Sequence, residues 1–124
     1  MSNSGPTVLV VDDDPAFAEF MGKTIEAAGY KAAVAYNGTE GLRLARTLLP
    51  VLVFCDLSMP GLGGVEVLRM LRGEPATAHI ARVLVSGHVC PHLHGIAAES
   101  SLAKPVTAET VRRVLDTLLK AKAA

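Results

Sequence analysis

The chain has 124 residues, 50% of them hydrophobic, and its 12 basic residues are balanced by 12 acidic ones. This length and composition fit one globular domain with a core, and the charge balance argues against nucleic acid or an anionic membrane as the main partner. No apolar run approaches the ~18 residues of a membrane span, residues 1–6 lack the features of a signal peptide, and two cysteines are too few for a disulfide scaffold. We expect one cytoplasmic domain over residues 1–124, with a flexible lead over residues 1–6.

The first half of the chain alternates predicted strands and helices. In order these are a strand over residues 7–11, a helix from residue 15 to 28, a strand over 31–36 and a helix over 39–49. Asp14 is suited to cap the first helix, because its carboxylate can accept hydrogen bonds from free backbone N–H groups. The predicted buried face of that helix comprises Phe17, Phe20, Met21, Thr24, Ile25 and Ala28. On the second helix, Leu42, Ala45 and either Leu48 or Leu49 are expected to face the core.

The second half continues the alternation. A strand over residues 51–56 is followed by a helix over 65–72, a strand over 81–85, a short helix around 93–98, a strand over 101–103 and a last helix that Thr107 is expected to cap. The last helix has an apolar face of Val111, Val114, Leu115, Leu118 and Leu119. The run Val51–Cys55 is continuously apolar, which indicates a strand buried on both faces, with Cys55 as a small buried hydrophobe. The alternation predicts an α/β fold with right-handed crossovers and a mostly parallel sheet.

Four predicted strands end in polar residues, namely Asp12 and Asp13, Asp56, Ser86 and Lys104. Because parallel strands end at one edge of the sheet, we expect these side chains to converge there. Three close carboxylates repel one another unless a cation joins them, and Mg²⁺ prefers such oxygen ligands. An ammonium and a hydroxyl donor beside a carboxylate favour a phosphoryl-transfer site. Asp56 is the expected nucleophile, since a carboxylate can form an acyl phosphate.

The motifs that end these strands are Val8–Pro15, Asp56–Pro60 followed by Gly64, Val85–Gly87, and Lys104-Pro105. Taken together they resemble the receiver domains of two-component response regulators, and the resemblance extends over nearly the whole chain. It implies a doubly wound, flavodoxin-like sheet of five parallel strands in the order 2-1-3-4-5, over a single receiver domain. In that order the first and third strands are neighbours.

The resemblance also implies how the metal would be bound. Asp13 would ligate Mg²⁺ directly, and Asp12 would act mostly through a bound water. Asp56 would be a third ligand, and the backbone carbonyl of Ser58 would be a fourth.

The phosphoryl group would come from a histidine kinase or a histidine phosphotransfer protein and would be accepted by Asp56. Ser86 would donate a hydrogen bond to a phosphoryl oxygen, and Lys104 would pair with the phosphate. The chain would then be no enzyme beyond its own phosphorylation and dephosphorylation. Its output would be binding to another protein, unless the chain is a part of a longer regulator, and we expect no contact to nucleic acid or membrane by this domain.

Two features depart from the family pattern. Ser101 occupies the position, three residues before Lys104, where the family usually has an aromatic residue that turns inward on activation. In addition, only 18 positions separate Ser86 from Lys104, which is shorter than usual by roughly one helical turn. We therefore expect a short or atypical fourth helix and an altered output surface.

The segment after Ser86 contains His88, Cys90, His92 and His94. If the segment is extended, these side chains share a face and could bind zinc; a polar loop without a ligand is the alternative. In a third interpretation, His88 and Ser58 flank the approach of the hydrolytic water and tune the phosphate lifetime.

Two alternative functions remain open at this stage. Asp12–Asp14 loosely resembles the Asp-x-Asp nucleophile of haloacid-dehalogenase phosphatases, with Asp12 as the nucleophile, although Ala16 departs from that pattern. A degenerate receiver that binds partners without ever being phosphorylated is the other. Mapping an acid-labile phosphate would separate the phosphorylated receiver, which would carry it on Asp56, from the phosphatase, which would carry it on Asp12.

Overall fold

A computed structural model describes residues 5–87, 98 and 100–120, and the description of the fold refers to these residues. Their strands are β1 (Thr7–Val11), β2 (Lys31–Ala35), β3 (Leu52–Asp56), β4 (Ala81–Ser86) and β5 (Ser100–Ala103). Their helices are α1 (Pro15–Ala27), α2 (Gly38–Leu48), α3 (Gly64–Gly73) and α4 (Ala108–Leu115), with a π-helical turn over Asp116–Lys120 after α4. No helix among them is long and apolar enough to cross a membrane.

The five strands form one parallel sheet in the order β2-β1-β3-β4-β5. The predicted fold class is therefore confirmed. Val11 pairs with Cys55, Asp56 with Val85, and Ser86 with Ala103. This register brings the carboxyl ends of β1, β3, β4 and β5 to one edge of the sheet.

Helices cover both faces of the sheet, which is why β3 is apolar at consecutive positions. Leu9 and Val11 of β1 contribute to the core under α2 and α3, whereas Val8 and Val10 contribute to the core under α1 and α4. The predicted apolar face of the last helix is confirmed, because Val111 and Leu115 are buried and the other members pack against the same cluster. Cys55 is buried, as predicted.

The prediction that Leu48 or Leu49 faces the core was wrong, because they are 43% and 48% exposed. Helix α2 approaches the sheet near its start, where a Cβ added to Gly41 would lie 2.8 Å from the side chain of Val11. The helix ends at Leu48, and Leu49 follows in a left-handed conformation with φ 49°. Because the helix ends at Leu48 and the chain changes direction at Leu49, neither leucine reaches the core.

Both predicted helix caps are present. Asp14 accepts hydrogen bonds from the backbone N–H groups of Ala16 and Phe17, and Thr107 accepts one from Thr110. The predicted short helix around residues 93–98 and residues 1–4 of the predicted lead lie outside the described residues, apart from Ala98, which is buried.

Candidate functional site

Three carboxylates meet at the carboxyl edge of the sheet. Asp56 ends β3, while Asp12 and Asp13 follow the neighbouring strand β1, and oxygens of all three lie within 4.8 Å of one another. Asp12 and Asp56 are only 1% and 6% exposed, whereas Asp13 is exposed to solvent. The predicted convergence of these acids is confirmed.

Lys104 joins the cluster from the loop after β5. Its Nζ lies 3.3 Å from Oδ2 of Asp12 and 3.5 Å from Oδ1 of Asp56. Its backbone N–H donates a 2.8 Å hydrogen bond to the carbonyl of Ser86, and the bond to Pro105 is cis. Three carboxylates against this one ammonium leave a formal charge of −2.

Ser86 lies near this cluster in the sheet, and Ser58 lies near Asp56 in the chain. Ser86 is the buried last residue of β4, the strand between β3 and β5, and it follows Val85, the partner of Asp56. Ser58 is exposed, two residues after Asp56. The roles predicted for both serines stay predictions. His88, Cys90, His92 and His94 lie outside the described residues, as do the zinc and water-tuning hypotheses that involve them.

Burial is the main cause that raises the pKa of Asp56 above its ordinary value, and the negative charge of Asp12 adds to it. Lys104 opposes both effects without cancelling them. Burial lowers the pKa of Lys104, but the charges of Asp12 and Asp56 together outweigh it and raise the pKa above its ordinary value. The lysine is therefore an ammonium at neutral pH, beside carboxylates that one ammonium does not fully compensate.

The acidic cluster suits a hard divalent cation. Oδ1 of Asp12 accepts a 2.9 Å hydrogen bond from the backbone N–H of Asp14. Oδ2 of Asp12 is buried and accepts no hydrogen bond from the described residues; Lys104 approaches it at 3.3 Å without the alignment of a hydrogen bond. An unsatisfied buried oxygen is costly, and a cation with oxygen ligands would satisfy it.

Glycine is required where α3 begins. A Cβ added to Gly64 would lie 2.1 Å from the carbonyl oxygen of Asp56. The N–H of Gly64 donates to the carbonyl of Leu57, and the N–H of Leu57 donates to Val85. The close approach of α3 therefore holds the backbone that follows Asp56.

Phe17 is the site residue that sequence reasoning missed. The Nζ of Lys104 lies 4.6 Å from the centroid of the Phe17 ring. The sequence placed Phe17 on the buried face of α1, and nothing in its spacing distinguished it from the other apolar residues of that helix.

Comparisons with known proteins agree with this geometry. Residues 8–116 match the family described as response regulator receiver domain. The chain is 32% identical over 119 residues to the DNA-binding dual master transcriptional regulator RpaA of Synechocystis sp., covering 93% of this chain and 49% of that protein. It is 42% identical over 67 residues to the DNA-binding response regulator MtrA of Mycobacterium tuberculosis, covering 54% of this chain and 29% of that protein.

A solved structure shows the same architecture. The crystal structure of a putative response regulator from Chloroflexus aurantiacus superimposes with a TM-score of 0.86 at 28% identity, covering 94% of this chain and 98% of that one. The chain belongs to the response regulator receiver domain family. It spans about half the length of the RpaA relative and less of MtrA. This assignment supports the receiver interpretation over the small phosphatase.

Proposed function

We propose that Asp56 accepts a phosphoryl group from a phosphohistidine, in a Mg²⁺-dependent reaction, and that phosphorylation changes how the chain binds a partner. The single observation that best supports this is the position of Asp56 between two acids and an ammonium. Oδ1 of Asp56 is 3.5 Å from the Nζ of Lys104, and its carboxylate belongs to the metal-suited cluster.

In the proposed reaction, a carboxylate oxygen of Asp56 forms a bond to phosphorus while the P–N bond of the phosphohistidine breaks. The electron pair of that bond stays on the imidazole nitrogen, which takes a proton from solvent. Lys104 would pair with a phosphoryl oxygen, and Ser86 would donate a hydrogen bond to another. Mg²⁺ held by Asp12, Asp13, Asp56 and the carbonyl of Ser58 would neutralise charge that develops on the phosphoryl oxygens.

The donor in this proposal is a histidine kinase or a histidine phosphotransfer protein, which places the reaction in the cytoplasm. The chain acts on itself only, by phosphorylation and by hydrolysis of its own acyl phosphate. Two relatives are named as DNA-binding proteins, but this chain matches half or less of their length. Its balanced charge favours an output through protein contacts rather than through DNA bound by this domain.

The test is labelling with acetyl phosphate, followed by intact mass measurement and mapping of the acid-labile phosphate. We expect one phosphoryl group on Asp56 in the presence of Mg²⁺, and loss of labelling in Asp56→Asn or after chelation. A matched control is Asp14→Asn, which keeps a side-chain oxygen for the helix cap and should still be labelled.

Two outcomes would contradict the proposal. A label on Asp12 would favour the phosphatase, and a folded chain that is never labelled would favour the degenerate receiver.

A further inference from the structure

We propose that Phe17 is a positioning residue for phosphoryl transfer, whose ring holds the Lys104 ammonium beside Asp56 through a cation–π interaction. This inference rests on the function proposed above. It assigns a role in the reaction to a residue that helical periodicity alone would place in the core.

The contact meets the distance expected of a cation–π pair. Nζ of Lys104 is 4.6 Å from the ring centroid of Phe17, inside the ~6 Å range in which a ring face attracts a cation. The lysine side chain is 30% exposed, so water only partly screens the attraction. Among the described residues the ammonium thus has three attractive neighbours, namely Asp12, Asp56 and the ring.

The local fold fixes the ring in this place. Phe17 lies in the first turn of α1, and its N–H donates to the capping carboxylate of Asp14. The N–H of Asp14 in turn donates to Oδ1 of Asp12. The ring also contacts Phe20, with centroids 6.1 Å apart and the planes tilted by 40°. One short segment therefore orients both the acid and the ring toward Lys104.

The ring differs from the two carboxylates in what happens when a cation binds. A divalent ion at the acidic cluster would neutralise Asp12 and Asp56 and weaken their attraction for Lys104. The ring does not ligate a hard cation, so its attraction for the ammonium persists. Phe17 thereby keeps a flexible four-carbon side chain oriented for the incoming phosphoryl oxygen, which lowers the entropic cost of the transition state.

The experiment separates this role from core packing by site-specific replacement of Phe17 with mono-, di- and trifluorinated phenylalanine. Fluorination keeps the ring's shape and weakens its attraction for a cation. We expect the rate of labelling by acetyl phosphate with Mg²⁺ to fall progressively, to about three- to tenfold below wild type for the trifluorinated ring. The melting temperature should stay nearly constant along the series.

Four variants complete the test. Phe17→Leu should slow labelling by a similar factor. Phe17→Trp, which keeps an aromatic face, should be labelled at about the wild-type rate. The matched control is Ile25→Val, a buried residue of α1 two turns further along the helix, which should lower stability and leave the rate unchanged. In a Lys104→Gln background, fluorination should have no effect, since the cation is gone.

A constant rate along the fluorinated series, or a wild-type rate in Phe17→Leu, would overturn the inference. A phosphate-independent measurement covers the case in which the wild type is not labelled at all. The ring current of Phe17 should shift the NMR signals of the Lys104 ε-methylene, and Phe17→Leu should abolish that shift. An absent shift refutes the contact, whereas absent labelling with a normal shift refutes the proposed function.

Discussion

Two of the ion-paired groups in the molecule differ in what surrounds them. At the sheet edge, Lys104 approaches Asp12 and Asp56, whose side chains are 2% and 8% exposed. On the surface, Arg46 of α2 donates two hydrogen bonds to Glu74, the residue after α3, and these side chains are 47% and 34% exposed. The surface pair has the better hydrogen-bond geometry, and the buried group has the more unbalanced charge.

The two groups show opposite electrostatics for the same kind of acid. The hydrogen bond from Arg46 is the main cause that lowers the pKa of Glu74, whereas burial and Asp12 raise that of Asp56. A fully paired acid in water has nothing further to gain from a ligand. A buried acid whose charge is only partly compensated gains from a cation or from modification, which is why such acids mark functional sites.

The largest expected effect on stability comes from displacing the backbone around Asp56, which supports the buried acids and Lys104. Gly64→Ala places a Cβ against the carbonyl of Asp56, and we expect it to destabilise the fold by about 1–3 kcal/mol. Urea unfolding followed by far-ultraviolet circular dichroism measures this. Gly73→Ala is the matched control at the other end of α3, where a Cβ meets no atom within 4 Å. It should be neutral or stabilise by up to about 1 kcal/mol. Equal losses in both variants would refute the packing argument.

A second, smaller effect tests the raised pKa of Asp56. A raised pKa in the folded state means that the charged form of Asp56 opposes folding at neutral pH and that protonation relieves this. Asp56→Asn should therefore melt at a higher temperature than wild type at pH 7. The difference should shrink as the pH falls through the raised pKa toward the ordinary value of about 3.9. Thermal melts at a series of pH values measure it.

Glu74→Gln should change the melting temperature in the opposite direction from Asp56→Asn, because the lowered pKa of Glu74 means that its charged form favours folding at neutral pH. That variant should melt slightly below wild type at pH 7. A lower melting temperature for Asp56→Asn would contradict the assignment of burial as the dominant cause.

The smallest effect is expected from the surface pair itself. Arg46→Gln removes one partner of an exposed ion pair, and such pairs contribute little to stability. We expect only a slight fall in melting temperature at physiological salt, a larger one at low salt, and unchanged labelling of Asp56. A fall as large as that of Gly64→Ala would show that the pair clamps α2 to α3.

The position of the buried acids and Lys104 could be predicted from sequence, because all strands of a parallel sheet end at the same edge. Asp12 and Asp56 each follow a short apolar run and Lys104 follows a short predicted strand, which placed all three at one edge, whereas the family resemblance supplied the strand order that makes β1 and β3 neighbours. The burial of Leu48 or Leu49 was predicted wrongly, since periodicity tells which face of a helix is apolar but not where the helix leaves the sheet. Phe17 was missed because its contact with Lys104 depends on the docking of α1.

The two carboxylate oxygens of Asp12 have different surroundings, so a cation and Lys104 would compete for one of them. With Oδ1 occupied by the N–H of Asp14, Oδ2 is the oxygen available to Lys104 and to an entering ion alike. A cation that approached Oδ2 would compete with the Lys104 ammonium for it, so the apparent affinity of the site for that cation would be lower than in a site without the lysine. Because Lys104 also lies 3.5 Å from Oδ1 of Asp56, it would keep a carboxylate partner if a cation took its place at Oδ2 of Asp12.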